Sequence, residues 1–314
     1  MASLQTYLMQ TQRFLRDKAQ LVENPADLTS YVNQARREVA MRAQCIRFVP
    51  PIFGSITAAE ITITAAGTGY TAPTITFSSP DSPSGALPNA QGLQATGTAA
   101  QSGGTISTIT ITNPGDGYFN PTGTITDPTG TGATVSITLA NINVLKQGQE
   151  IYNFADVPSL SRVSGVSEIY MVRGISVLYS NYRYSLPMYS FSTYQAMIRQ
   201  FIASQYQYVP TFAAQLGRGA SGSLYMYPPP SQTYQMEWDC CGLPTDLTVA
   251  SITAADIMPD PWTDVVPYYA AHLAYMELQN WNAAKGYLDL FDMRMRQVSG
   301  YVQPGRVSNP YGRF

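Results

Sequence analysis

Asp256, Asp260 and Asp264 recur every four residues, a spacing that suits a hard cation or a paired-carboxylate hydrolase. They flank Pro261 just ahead of a helical pattern, where the helix dipole favours acids, so capping is the better reading. His272 is the single histidine of the chain and sits mid-helix. Any Ser-His-Asp or Cys-His relay would rest on it alone, and no Gly-x-Ser-x-Gly elbow accompanies it, so a packed structural role is expected. Cys45, Cys240 and Cys241 form neither a disulfide framework nor a zinc-ligand spacing, and buried free thiols are expected. Gly217 to Gly222, carrying Arg218, reads as a surface hairpin, with a phosphate or a partner carboxylate as the alternative contact of the arginine. Neither Gly67-Thr68-Gly69 nor Gly115-Asp116-Gly117 is followed by Gly-Lys-Ser/Thr or completes a dinucleotide fingerprint. These residues assign no catalytic, cofactor-binding or metal-ligating role, and the expectation is a protein that is not an enzyme.

The elements that hold these residues fall into unlike parts. The 98 residues from Phe48 to Leu145 contain no lysine or arginine, whereas basic residues recur on both sides of them. Inside that stretch, Ile61-Thr62-Ile63-Thr64-Ala65-Ala66-Gly67-Thr68-Gly69-Tyr70-Thr71-Ala72-Pro73 returns 48 positions later as Ile109-Thr110-Ile111-Thr112-Asn113-Pro114-Gly115-Asp116-Gly117-Tyr118-Phe119-Asn120-Pro121. Gly54-Ser55-Ile56 and Gly104-Thr105-Ile106 precede the two copies, and Gln94-Ala95-Thr96 and Gly132-Ala133-Thr134 follow them. Alternating Thr and Ile predict half-buried strands, the glycine pairs predict hairpin turns, and Tyr70 and Tyr118 are expected to cover those hairpins. The lysine gatekeepers that usually guard strand edges are missing, so the edges must be paired within the unit or covered by a neighbour.

Helical periodicity frames this β stretch. Residues 3–16 and the run Leu28, Tyr31, Val32, Ala35, Val39 and Ala43 predict two N-terminal helices, with Arg36 and Arg37 on the outer side and Pro50-Pro51 as the stop. Residues 192–205 predict a helix with Tyr194, Met197, Ile198, Phe201 and Ile202 on one side. Residues 263–279 predict another, with Val266, Ala270, Ala274, Tyr275 and Leu278 inward. A last helix over 283–298 buries Ala284, Tyr287, Leu288, Phe291, Met295 and Val298, with Lys285–Asp289 and Asp292–Arg296 as surface ion pairs. Residues 168–180, 223–227 and 234–240 predict strands, with Pro228-Pro229-Pro230 turning between the last two.

The expected fold is α+β, a helical bundle formed by the N- and C-terminal segments with inserted β-rich domains, including a duplicated small β module. Its parts are N-terminal helices over 1–50, the repeat module over 51–142, a mixed β region over 143–258, C-terminal helices over 259–302 and an extended tail over 303–314. Net charge is −2, so nothing global points to nucleic acid or to a membrane surface. Charged residues make up only 12% and tyrosine reaches 22 copies, which fits either a surface covered by partners or a β-rich fold. No apolar run reaches the roughly 18–20 residues that span a bilayer, and the polar N-terminus has no signal-peptide core, so cytosolic synthesis is expected.

Two stretches carry a family resemblance. Ser223-Leu224-Tyr225-Met226-Tyr227-Pro228-Pro229-Pro230 with Tyr234 to Asp239 and Leu243 to Leu247, and Trp262 to Val298, resemble the hairpin and last helices of the head-to-tail adaptor proteins of short-tailed bacteriophages, also called head-completion or tail tubular A-type proteins. Leu28 to Arg47 fits that family's opening helices. The Gly-x-Gly-Tyr-x-x-Pro repeat departs from the minimal adaptor and reads as an insertion.

The resemblance implies a virion component, assembled in the host cytoplasm, that forms a ring of typically twelve copies at the head–tail junction. The ring would sit beneath the portal protein and receive the tail nozzle on its opposite face, with a tail fibre or spike as a further partner. Genomic DNA would pass through the channel without sequence-specific binding, and no cofactor is implied. Tyr269, Tyr275, Tyr287 and Met293 would anchor subunit to subunit, and the tail residues Val302, Arg306, Tyr311, Arg313 and Phe314 would meet the portal. Two other readings compete. One is a receptor- or glycan-binding tail or fibre protein whose repeat module exposes Tyr70 and Tyr118 as stacking platforms, and the other is a hydrolase built on Asp256 and Asp260.

Overall fold

The computed structural model describes residues 2–16, 24–81, 92–139, 142–157, 160, 163–179, 182–199 and 207–302. The chain is mixed α+β, with five α-helices and several small sheets among these residues. Helix α1 (Leu4–Leu15) starts after Ser3, whose hydroxyl accepts the Thr6 N–H. Helix α2 (Pro25–Ala43) starts after Asn24, whose side-chain oxygen accepts the Ala26 N–H at 2.7 Å, and Pro25 occupies a first-turn position where no N–H is needed. It ends where Gln44 turns left-handed at φ 50°, short of the proline pair expected to stop it. Helix α4 (Val266–Glu277) and helix α5 (Trp281–Val302) follow near the other end of the sequence. Leu4, Tyr7, Leu28, Val32, Val266, Ala270, Phe291 and Val298 share one buried cluster, with Tyr31 packed against it.

Several expectations for these helices need correction. Arg36 faces inward at 1% exposure, while Arg37 stays outside and pairs with Asp246 at 2.9 Å. Leu278 is 40% exposed, because α4 ends at Glu277 and Gln279 at φ 56° turns the chain away. Helix α5 is longer than predicted, so Val302 closes the helix instead of opening the tail. Asp292 accepts from Arg42 of α2 at 2.9 Å, not from Arg296, because α5 presents that carboxylate across to α2. No ion pair joins Lys285 to Asp289 among the described residues.

The middle of the chain contains a two-layer β body. Strands β10 (Val166–Tyr179) and β15 (Tyr234–Pro244) pair antiparallel at its centre. Strands β1 (Arg47–Phe48) and β8 (Val144–Leu145) flank β15, and β11 (Tyr182–Leu186) forms the edge beyond β10. The second sheet runs in the order β12 (Met188–Tyr189), β13 (Phe212–Leu216), β14 (Ser223–Tyr227), β9 (Ile151–Asn153). Residues of both sheets form one core around Trp238, with the rings of Tyr152 and Phe154 edge-on at 6.5 and 6.1 Å. Alternation along β13 and β14 sends Phe212 and Tyr225 to the opposite face, where they meet helix α3 (Phe191–Ile198) through Tyr194. This helix is shorter than expected. Met197 and Ile198 pack as predicted, and Phe201 and Ile202 lie outside the described residues. The expected hairpin across Pro228-Pro229-Pro230 does not form. Strands β14 and β15 belong to different sheets, and the prolines carry the chain from one layer to the other.

Between β1 and β8 lie six strands: β2 (Ile61–Thr68), β3 (Thr74–Phe77), β4 (Thr96–Ser102), β5 (Thr105–Asn113), β6 (Gly123–Thr126) and β7 (Thr131–Ile137). The hydrogen-bonded pairs are β2–β7, β3–β6 and β4–β5. β2 also lies near β5, β3 near β4, and β6 near β7, so the three two-stranded ribbons pack side by side in the order β2, β7, β6, β3, β4, β5. The glycine turns therefore do not fold β2 back onto β3, as expected. The first strand of one copy pairs with the last strand of the other. Each strand is hydrogen-bonded to one partner and packs near a second strand of the unit, so its neighbours within the unit cover it without lysine. Ile56, Ile75, Phe77, Ile106 and Ile109 fill the interior with Tyr70 and Tyr118.

Candidate functional site

The residues with the strongest chemical potential are spent on structure. Asp256 is buried, and both of its carboxylate oxygens are engaged by Arg36 of α2, one of them at 2.9 Å from Nε. Tyr7 of α1 donates to the same carboxylate at 2.8 Å. The remaining Arg36 donors reach the Thr245 carbonyl at 2.8 Å and the Asn33 side chain at 3.2 Å. Burial, then the charge and hydrogen bond of Asp256, push the Tyr7 hydroxyl far above its ordinary value, so it remains a neutral donor. Asp256 thus neither caps a helix nor faces solvent as a hydrolytic carboxylate. Asp260 accepts the Thr263 hydroxyl at 2.6 Å, and Asp264 lies 3.5 Å from Arg294.

His272 meets the Ala284 carbonyl through Nδ1 at 2.8 Å, which ties α4 to α5. Burial pushes the Cys45 thiol up to about 12 and raises Cys240 and Cys241 as well, so none is an activated thiolate. Arg218 spends itself within the chain, over the Tyr170 ring at 5.6 Å and on its hydroxyl at 3.2 Å.

The repeat turns form two matching sets of contacts. The Tyr70 hydroxyl accepts the Ala133 N–H at 3.0 Å, and the Tyr118 hydroxyl accepts the Ala95 N–H at 2.8 Å. Ala95 and Ala133 hold corresponding places after the two copies, so Tyr70 bonds within the last strand of the second copy and Tyr118 bonds the residue just before the last strand of the first. The Tyr70 N–H donates to Gly104, and the Tyr118 N–H to Gly54, the corresponding glycine. A Cβ on Gly67 would lie 2.6 Å from the Ala133 nitrogen and the Thr131 oxygen, and on Gly115 it would lie 2.6 and 2.5 Å from the matching atoms of Ala95 and Leu93. Both glycines have φ 64°. Gly69 and Gly117 complete the turns at φ 77° and 90°.

Asp127 accepts the Thr71 and Ala72 N–H groups at 3.1 and 2.6 Å, and Asp81 accepts the corresponding Phe119 and Asn120 N–H groups at 2.9 Å each. Burial opposes ionisation of Asp127, but bonds from Thr129, Gly130 and Ala72 together hold its carboxyl below the usual range. Tyr70 and Tyr118 are 3% and 0% exposed. They are interior braces, and the expectation that they stack on an external ligand is overturned.

The predicted interface residues divide. Tyr275 and Tyr287 stack at 5.4 Å, and both hydroxyls donate to the Phe14 carbonyl at 3.1 Å, so they staple α4 and α5 to the end of α1. The ring of Tyr269 lies 4.9 Å from Phe291. Met293 is exposed, beside Leu290 on α5, and Trp281 at the start of that helix is 61% exposed. Arg306, Tyr311, Arg313 and Phe314 lie outside the described residues.

One surface was missed in the sequence. Tyr179, Tyr184 and Tyr208 line a cleft of about 300 Å³ with Leu186 and Pro210. Tyr182 and Tyr184 alternate along the edge strand β11, and that period-two spacing of tyrosines is the signal that would have found it. Among the described residues no helix is long and apolar enough to cross a membrane, and no group of three or more His, Cys, Asp or Glu could hold a metal ion. No known protein-family model matches the chain, and no curated protein matches it either.

Proposed function

We propose that the chain is a structural, non-enzymatic head-to-tail adaptor of a tailed phage virion, forming a ring of about twelve copies between portal and tail nozzle around the DNA channel. The observation that carries this reading is the apolar cluster shared by α1, α2, α4 and α5, elements from the two ends of the sequence. These helices form the adaptor body, and the duplicated β module is an insertion between β1 and β8 of the two-layer β body. A closed ring needs two different, complementary surfaces on each subunit. Exposed Leu290, Met293 and Trp281 on α5 supply apolar contacts for one of them. The inserted unit carries Glu60, Asp81, Asp116 and Asp127 and no basic residue, so it would not hold passing DNA. The tail over 303–314 has two arginines and no acid, and it meets the portal.

Removing 303–314 tests this reading. The shortened chain should keep its thermal transition and lose co-sedimentation with the portal, and undiminished co-sedimentation would refute it. The glycan-binding alternative loses the platforms it relied on, since Tyr70 and Tyr118 are buried.

A further inference from the structure

Strand β11 pairs with β10 on one side, and among the described residues no strand pairs with its other side. Its register on β10 decides which backbone groups are left over. Two residues separate Tyr179 from Tyr182, and the two oppose each other, so theirs is the kind of pair that exchanges both backbone bonds. Bonded and unbonded positions then alternate along the strand. Tyr184 and Leu186 bond to Val177 and Ile175, whereas the N–H and C=O groups of Arg183 and Ser185 point away from β10. Both of these residues are exposed. Lysine, proline or a bulge usually protects such an edge. The pairing of β11 with β10 runs without a register shift, the one charge, Arg183, is bonded to Glu237 at 2.8 Å, and Pro187 comes only after the strand.

The side chains add a second feature. Leu186 belongs to the core between the sheets, so alternation turns Tyr184 and Tyr182 to that same face. Tyr184 lines the tyrosine cleft there, with Tyr179 of β10 and with Tyr208 and Pro210 of the segment that leads into β13. Ser185 lines it as well, and no lining residue carries a charge. The backbone of Tyr208 is fixed, donating to the Pro229 carbonyl at 3.0 Å and accepting the Ser231 N–H at 3.2 Å. A strand laid beside β11 answers both features together. Its backbone meets that of Arg183 and Ser185, and every second side chain falls on the face of the cleft. A sugar could stack on the tyrosines, but it does not present N–H and C=O groups at the spacing of a strand. A second copy of the chain is a poor occupant too. Only two residues of β11 face outward, far less edge than the roughly 1,200 Å² of a stable interface requires.

We propose that β11 and the tyrosine cleft bind a short linear peptide segment of another protein. The segment is extended, joins the sheet through the backbone of Arg183 and Ser185, and places one bulky uncharged side chain in the cleft. The proposal rests neither on ring assembly nor on the tail.

The test pans a displayed library of linear peptides of about seven residues, the length of an ordinary strand, against the full chain. Enriched peptides should carry a large apolar residue among uncharged ones. Amide hydrogen exchange of the ¹⁵N-labelled chain is then read with each of them bound. The Arg183 and Ser185 amides should become protected, while those of Tyr182 and Tyr184, already bonded to β10, should change little. S185P removes one outward donor at a place where an edge strand tolerates proline. It should keep the thermal transition and weaken binding about tenfold, roughly what a single hydrogen bond is worth. Y184A, which empties one wall of the cleft, should weaken it several-fold. If S185P does not fold, the amide readout on the unaltered chain decides alone. Failure to enrich any peptide, or bound peptides that leave both amides exchanging as before, would overturn the proposal. So would dimerisation of the chain alone that protects the same two amides, which assigns the edge to a second copy. Saturable binding of maltotriose at the cleft, with no peptide enriched, would overturn it in favour of a glycan.

Discussion

Around Arg36 the chain buries a charge, whereas around Tyr70 and Tyr118 it buries only neutral hydroxyls. The helical cluster joins residues far apart in sequence, Arg36 with Asp256 and Tyr7 with Asp256, through one ionic knot. The six-stranded unit uses a short local pattern twice and closes it by exchange, so that each copy supplies the acceptor that the other's backbone needs. The first device is specific, and it is costly to break because either partner alone would be a buried unpaired charge. The second spreads its cost over two equivalent places, neither of which carries a formal charge into the interior.

Breaking the ionic knot should have the largest effect. R36A leaves Asp256 buried without its cation and should destabilise the chain by roughly 3–5 kcal/mol in urea denaturation, while R36M combined with D256L should recover most of that loss. A small loss in R36A would mean that the helical ends are held chiefly by their apolar faces.

The equivalence of the two turns is sharpened by G67A and G115A. Each forces a Cβ into the backbone of the opposing strand at a left-handed φ, and each should cost about 1–3 kcal/mol. The two losses should agree closely, and a large loss at one site with none at the other would end the claim that the copies are exchanged equals.

The smallest effect concerns acid. The folded-state pKa of Asp127 is depressed, so its contribution is complete above the unfolded value near 4 and is lost as pH falls through the lower folded value. D127N should therefore flatten the decline of the unit's thermal midpoint below about pH 4. An unaltered acid profile would show that the carboxylate's bonds to Thr71, Ala72, Thr129 and Gly130 matter little.

What could be read from sequence was local. Leu28, Val32, Ala35 and Val39, and later Ala284, Phe291, Met295 and Val298, repeat at helical spacing, and all of them are buried. Arg36 misled because its partner lies 220 residues away, and no periodicity announces such a pair. The repeat was visible as a period of 48, but the exchange of last strands between copies is a long-range pairing that the pattern does not encode. The supposed hairpin before Tyr234 failed for a related reason. Its two strands looked adjacent in sequence, yet each is held by a different sheet.

The most direct measurement is the native mass of the purified 34.3 kDa chain mixed with its portal protein. A closed species of about twelve copies on the portal is the outcome the adaptor reading requires, since one heterologous contact repeated around an axis closes a ring. A chain that stays monomeric in the presence of portal, or forms a stable trimer without it, would contradict that reading.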